Sequence, residues 1–130
     1  MKYRTAWLAA GWLLIFLITY LSLAHSPPTP LHFPNADKLE HLIAYVTLMG
    51  WFGQIYHTSK ERINLALAFI AFGAGIEILQ GWSGYRSAEW TDLLADSLGI
   101  GLGWLLDTTS LQFLLTRFDA RLASHHDRYH

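Results

Sequence analysis

Side chains that can transfer protons or bind charged ligands are concentrated in two short parts of the 130-residue sequence. The first part, "DKLEH", contains Asp37, Lys38 and His41, and the second runs from Glu77 to Asp96. The second part contains Glu77, Gln80, Arg86, Glu89, Asp92 and Asp96. Carboxylates and histidine can act as general acids and bases, and carboxylate oxygens can hold divalent cations. Lysine and arginine bind phosphate or carboxylate groups.

The spacing of these residues predicts that they share helix faces. Residues three or four positions apart lie on one face of a helix. Such pairs are Asp37 and His41, Lys38 and His41, Glu77 and Gln80, and Asp92 and Asp96. A carboxylate near the centre of a bilayer costs roughly 2.5–3.5 kcal/mol, so Glu77 and Asp96 are expected to face inward. The pattern therefore predicts an inward-facing polar cluster built from three helices.

The elements that position this cluster are apolar and long. The chain is 52% hydrophobic and only 15% charged, whereas soluble proteins average roughly 25% charged residues. A bilayer requires about 20 apolar residues per helical span. We predict one all-α domain over residues 1–130, an integral membrane bundle of four transmembrane helices at about 6–24, 38–56, 62–80 and 89–106. The tail, 107–130, has apolar residues at helical spacing and predicts a short amphipathic helix on the membrane surface.

Two alternatives concern the ends and the orientation of this bundle. The first apolar run can also be interpreted as a cleaved signal peptide, but it is longer than the usual 7–15 apolar residues. Lysine and arginine accumulate on the cytoplasmic side of membrane proteins. One side of the predicted bundle has seven of the nine basic residues, and the other has only Lys38 and Arg86. Both termini are therefore predicted to be cytoplasmic, and the polar cluster is predicted to face outward.

Several other features exclude or favour particular functions. The chain has no cysteine, which excludes disulfides and thiolate chemistry. No basic run or nucleic-acid motif is present, so no nucleic-acid partner is expected. Glycines within the predicted spans favour close helix packing; they are Gly73, Gly75, Gly99, Gly101 and Gly103. The inner halves of the second and third spans are apolar apart from Thr47 and Gln54, so charge is expected to stop in the outer half.

The two polar stretches, "DKLEHLIAY" and "EILQGWSGYRSAEWTDLLADSLGIGLG", resemble the VanZ-like family of small bacterial integral membrane proteins. The resemblance covers roughly Asp37 to Gly103. Asp96 stands where many members carry asparagine, which adds a negative charge. The family is named after a protein associated with glycopeptide-antibiotic resistance. The resemblance thus implies a function in the cell envelope and a location in the bacterial cytoplasmic (inner) membrane.

We expect the protein to recognise or modify a lipid-linked or cell-envelope ligand while surrounded by membrane lipids. Predicted catalytic residues are His41, Glu77 and Asp92, and predicted ligand-binding residues are Asp37, Lys38, Gln80, Arg86 and Asp96. No cofactor or recognised metal motif is expected, although an enzymatic site would allow the carboxylates to hold a divalent cation. Whether the protein is an enzyme stays open. The alternative is a structural membrane protein whose charges form a buried ion-pair network.

Overall fold

The computed structural model describes residues 2–23, 36–83, 90–109 and 113–129, which contain helices and no strand. The helices are α1 (Arg4–Leu23), α2 (Ala36–Ile55), α3 (Ser59–Ser83), α4 (Trp90–Asp107) and α5 (Leu114–Tyr129). The all-α prediction is confirmed. Helices α1 to α4 coincide with the four predicted apolar segments, and α5 lies within the predicted amphipathic tail.

Helix α3 begins earlier than predicted because its first turn is capped. The Thr58 hydroxyl oxygen accepts a hydrogen bond from the backbone N–H of Glu61 at 3.1 Å. The same hydroxyl donates to the Glu61 carboxylate at 2.7 Å. A threonine followed three residues later by glutamate is a typical helix-start signal. The "TSKE" stretch therefore starts the helix instead of forming a loop.

Within the part of the chain that the structure describes, two helices have the length and apolar composition needed to cross a membrane, namely α1 and the Ser59–Trp82 part of α3. Helices α2 and α4 are interrupted by ionisable residues, so the four-span bundle stays a prediction. The large apolar side chains of α1 are mostly exposed: Trp12, Leu13, Phe16, Leu17 and Tyr20. An apolar surface this continuous is rare on a protein surrounded by water and fits contact with lipid.

Helix α2 packs more extensively against α4 than against any other helix. The reason is that the two backbones touch at glycines. A Cβ atom on Gly99 would lie 2.5 Å from the backbone oxygen of Leu42, and one on Gly103 would lie 2.8 Å from that of Val46. No larger residue fits at either position without separating the helices.

The prediction of close packing is wrong for two of the other glycines. A Cβ atom on Gly75 or Gly101 would meet no atom within 4 Å. Gly73 is closely packed as predicted, since a Cβ atom there would lie 2.7 Å from the Asp96 carboxylate. The buried core beside these contacts is supplied mainly by α2, with Tyr45, Leu48, Met49 and Phe52, and is completed by Ala66, Phe69 and Ile100.

The N-terminal residues and α5 are joined at one end of the bundle by Asp119. Its carboxylate accepts hydrogen bonds from the backbone N–H groups of Lys2 at 2.7 Å and Tyr3 at 2.9 Å, and from the Trp7 indole at 2.7 Å. Desolvation alone would raise the pKa of Asp119. These hydrogen bonds outweigh desolvation and hold its pKa below the usual value. Lys2 also pairs with Asp127 at 2.7 Å.

Candidate functional site

A polar cluster lies at the end of the bundle where α2 begins, α3 ends and α4 begins. Its described side chains are Lys38, His41, Glu77, Gln80, Asp92 and Asp96, and four of these are buried. Asp37 belongs to the first turn of α2, but its side chain lies outside the described residues. Arg86 and Glu89 lie outside them as well. The structure thus brings together six of the eight predicted site residues, and their functional roles stay predictions.

A short contact in the cluster joins α2 to α4. His41 Nδ1 lies 2.7 Å from Asp96 Oδ1, and Asp96 is only 1% exposed. His41 Nε2 lies 3.8 Å from Asp92 Oδ2, which is too far for a hydrogen bond. The aspartate therefore orients the imidazole ring by one nitrogen and leaves the other nitrogen directed toward the rest of the cluster.

A second contact between α2 and α4 is an ion pair at the edge of the cluster. Lys38 Nζ lies 3.1 Å from Asp92 Oδ1. The Lys38 side chain retains 25% of its exposure, whereas that of Asp92 retains 8%. The lysine is thus the most accessible charged group among the described members of the cluster.

Helix α3 supplies Glu77 and Gln80, both buried. Ligand atoms of His41, Glu77 and Asp92, one from each of three helices, all lie within 4.8 Å of one another. Gln80 turns partly away from this group, because its side-chain amide donates to the Ser22 backbone oxygen of α1 at 2.8 Å. Gln80 therefore also attaches α1 to the cluster, a contact that the sequence did not indicate.

Tyr45 is a further member that sequence reasoning missed. It is buried, and its hydroxyl would lie 3.3 Å from a Cβ atom on Gly73, beside the Asp96 carboxylate. A glycine at position 73 leaves room for both polar groups. The sequence did contain an indication that Tyr45 belongs to the cluster, since Tyr45 follows His41 by four residues and therefore shares its helix face.

Comparison with known proteins agrees with the residues assembled at this end. The chain matches the VanZ/LLP1 family over residues 5–110. It belongs to the VanZ/LLP1 family. This confirms the resemblance and extends it beyond the polar stretches to include α1. The family match and the two apolar helices together indicate a membrane protein.

This VanZ/LLP1 protein is also similar to an uncharacterized protein of the fission yeast Schizosaccharomyces pombe. The two are 27% identical over 97 residues, which cover 72% of this chain and 57% of the yeast protein. The chain thus matches little more than half of that relative. A fungal relative means that membership of the family does not by itself indicate a bacterium. No solved structure matches the chain.

The VanZ/LLP1 protein also has a second polar group, at the opposite end of the bundle. Arg62 is buried, and its guanidinium donates to the backbone oxygens of Gly53 at 2.9 Å and Tyr56 at 3.2 Å. Asp107 is buried as well and accepts a hydrogen bond from the Gln54 amide at 3.3 Å. Both charged groups lie at helix ends, Arg62 in the first turn of α3 and Asp107 at the last residue of α4, so buried charges occur at both ends of the bundle.

This second group has a structural role that its contacts explain. Gln54 bonds Asp107 with its nitrogen, while its oxygen accepts a hydrogen bond from the Leu115 backbone N–H at 3.0 Å. One side chain thus connects α2, α4 and α5. Arg62 caps the last carbonyl groups of α2, where a positive charge is favourable. From the distribution of basic residues in the sequence, Arg62 was interpreted only as an indicator of membrane orientation.

Proposed function

We propose that this VanZ/LLP1 protein recognises the polar head of a lipid-linked or cell-envelope ligand through the cluster at the start of α2. The observation that supports this most directly is the convergence of His41, Glu77 and Asp92 from three helices. Buried ionisable groups in apolar helices are costly unless they face one another or a polar ligand. A lipid-linked ligand has the matching form, with an apolar chain for the bilayer and a polar head at its edge.

The proposed arrangement in the membrane is multi-pass, with α1 to α4 crossing the bilayer. The other end of the bundle has Lys2 and Arg4 near the N-terminus, and Lys60 at the start of α3. The last turn of α5 is basic too. By the positive-inside rule this end is cytoplasmic, and the polar cluster faces the outer leaflet. For a bacterial member, the proposed location is the cytoplasmic membrane.

Within the cluster, Lys38 is the proposed contact for an anionic group such as a phosphate. Its ammonium group is partly exposed and already pairs with the Asp92 carboxylate. An incoming phosphate would compete for this ammonium group. Arg86, in the link between α3 and α4, is proposed as the second cation. Glu77 and Asp96 would accept hydrogen bonds from hydroxyl groups of the ligand.

A specific observation favours chemical modification of the ligand as a second candidate function. The buried Asp96 carboxylate holds His41 by Nδ1, so that Nε2 is free to take a proton from water or from the ligand. A histidine oriented in this way is a typical general base. Loss of product formation in His41→Ala, with ligand affinity retained, would support modification. Equal loss of both would favour recognition alone.

The binding proposal is tested with the full-length protein in nanodiscs and a fluorescent polyprenyl phosphate, compared with an uncharged polyprenol. We expect tighter binding of the phosphate and about a tenfold loss with Lys38→Met, which corresponds to about 1.4 kcal/mol. The matched control is Lys60→Met, which removes an exposed lysine at the opposite end. Equal binding of the two lipids would contradict the proposal.

The structural alternative makes a different prediction for the ion pair. Exchanging the two charges, as Lys38→Asp with Asp92→Lys, keeps the pair and moves the cation to α4. If the cluster only holds the helices together, this double variant will be as stable as the unsubstituted protein and will bind the phosphate lipid equally well. We expect stability to be largely restored and binding to stay weak, because the cation no longer occupies its exposed position.

A further inference from the structure

We propose that His41, Glu77 and Asp92 form a binding site for one divalent transition-metal cation such as Zn²⁺ or Mn²⁺. The cation site itself requires only the geometry of these three side chains. Its use in bridging a phosphate to the protein rests on the proposed function. The sequence shows no metal motif at these positions because the three ligands come from three different helices.

The distances suit a shared cation. Ligand atoms of His41, Glu77 and Asp92 lie within 4.8 Å of one another, and His41 Nε2 is 3.8 Å from Asp92 Oδ2. Zinc binds nitrogen and oxygen ligands in a tetrahedron at about 2.0–2.2 Å, so neighbouring ligand atoms lie about 3.4 Å apart. Since the widest separation here is at most 4.8 Å, the side chains need to close by up to about 1.4 Å. An imidazole beside carboxylates also favours a transition metal over Mg²⁺ or Ca²⁺, which prefer oxygen ligands.

The buried Asp96 carboxylate provides an independent indication of a ligand at this place. Metal-binding histidines commonly donate their second ring N–H to a carboxylate, which fixes the tautomer and the ring orientation. His41 Nδ1 lies 2.7 Å from Asp96 Oδ1, and the proposed site places the proton on Nδ1 and the metal-binding lone pair on Nε2. His41 Nε2 lies 3.8 Å from Asp92 Oδ2. The arrangement is a carboxylate, an imidazole and a converging set of oxygen ligands.

Charge supports the same assignment. The described cluster contains three carboxylates, Glu77, Asp92 and Asp96, but only one lysine, Lys38. Buried charge is costly unless it is balanced at close range, and a divalent cation would balance the remaining two negative charges. Lys38 pairs with Asp92 Oδ1, which leaves Oδ2 for the metal. The Arg86 side chain is the alternative source of the positive charge that would balance these carboxylates. Direct measurement of bound metal distinguishes a cation from Arg86 in this role.

The test is metal binding to the full-length protein in detergent micelles, first stripped with a chelator and then equilibrated with Zn²⁺, Mn²⁺ or Mg²⁺ separately. Bound metal is measured by mass spectrometry after desalting. We expect one equivalent of Zn²⁺ or Mn²⁺ and little Mg²⁺. Glu77→Gln, which keeps the side-chain shape, and His41→Ala should each lower the affinity at least tenfold. Circular dichroism and gel filtration confirm that each variant is folded.

Two further variants test the groups that surround the proposed metal ligands. Asp96→Asn should weaken binding about 10–100-fold without removing a ligand, because it alters only the partner of the histidine. Lys38→Met should tighten metal binding, since it removes a nearby positive charge, although the same change weakens binding of the phosphate lipid.

The C-terminal histidines are the necessary control, because they can bind metal by themselves. The double variant His125→Ala and His126→Ala should keep the equivalent that depends on His41. If this control loses all bound metal while His41→Ala retains it, the proposed site is wrong.

Measuring polyprenyl phosphate binding with and without metal separates the two proposals. Metal binding without any lipid binding would overturn the proposed function and leave the cation site standing. Lipid binding by a protein that takes up no metal would overturn the cation site alone.

Discussion

Substituting Gly99 by alanine should disrupt the helix contact on which the polar cluster depends. A Cβ atom at this position would lie 2.5 Å from the Leu42 backbone oxygen, whereas ordinary contact begins at 3.4 Å. Because a backbone oxygen cannot rotate away, α2 and α4 must separate by about 0.9 Å. The bond between His41 and Asp96, now 2.7 Å, would lengthen to about 3.6 Å, beyond hydrogen-bonding range. The same substitution thus damages both the fold and the site.

We expect Gly99→Ala to lower the free energy of unfolding by about 1–3 kcal/mol, the usual cost of overpacking a tight interface. The matched control is Gly101→Ala on the same helix, where a Cβ atom meets nothing within 4 Å. Alanine is a better helix former than glycine by about 1 kcal/mol, so the control should be neutral or slightly more stable. Unfolding is followed in mixed micelles by titration with sodium dodecyl sulfate. Equal stability of the two variants would show that α2 and α4 do not touch here.

Perturbations at the opposite end of the bundle test its charged contacts and its orientation. Arg62→Met should cost about 1.5–3 kcal/mol, the usual worth of hydrogen bonds to a charged group, whereas Lys60→Met on the surface should change stability by less than about 0.5 kcal/mol. Because the folded pKa of Asp119 is lowered, its stabilising effect is present above its ordinary pKa and is lost as pH falls through the folded pKa. Asp119→Asn should therefore make the free energy of unfolding less dependent on pH below the ordinary aspartate pKa of 3.8, and an unchanged acid dependence would contradict this assignment. The chain has no cysteine, so Ser59→Cys should react with an impermeant maleimide only after cells are opened, and Trp90→Cys should react in intact cells. The reverse labelling would refute the orientation.

The helices and the main polar cluster could be predicted from the sequence for a clear physical reason. Runs of about 20 apolar residues have few folds available other than helices, and charged residues inside such runs must face inward. Glu77 and Asp96 were identified in this way, and both are buried in the structure. The family resemblance rested on the same residues and is confirmed by the match over residues 5–110.

Features that depend on which helices are neighbours could not be predicted in the same way. Gln54 and Asp107 are far apart in sequence, and their sequence positions do not reveal their hydrogen bond. Spacing alone also did not separate Gly99, which faces α2, from Gly101, which faces open space. That distinction requires the rotation of α4 about its axis relative to α2. Sequence periodicity sets which residues share a face, but it does not state what the face contacts.

The glycine contacts between α2 and α4 also determine which part of the cluster is able to adapt. Since the backbones meet at Gly99 and Gly103, neither helix can slide or rotate without a collision, so Lys38, His41, Asp92 and Asp96 form a fixed frame. Helix α3 is less constrained, as it packs less extensively against α2 than α4 does. A small tilt of α3 would move Glu77 toward or away from this frame. Under the proposed function, the aperture between Glu77 and His41 would then limit how large a head group enters.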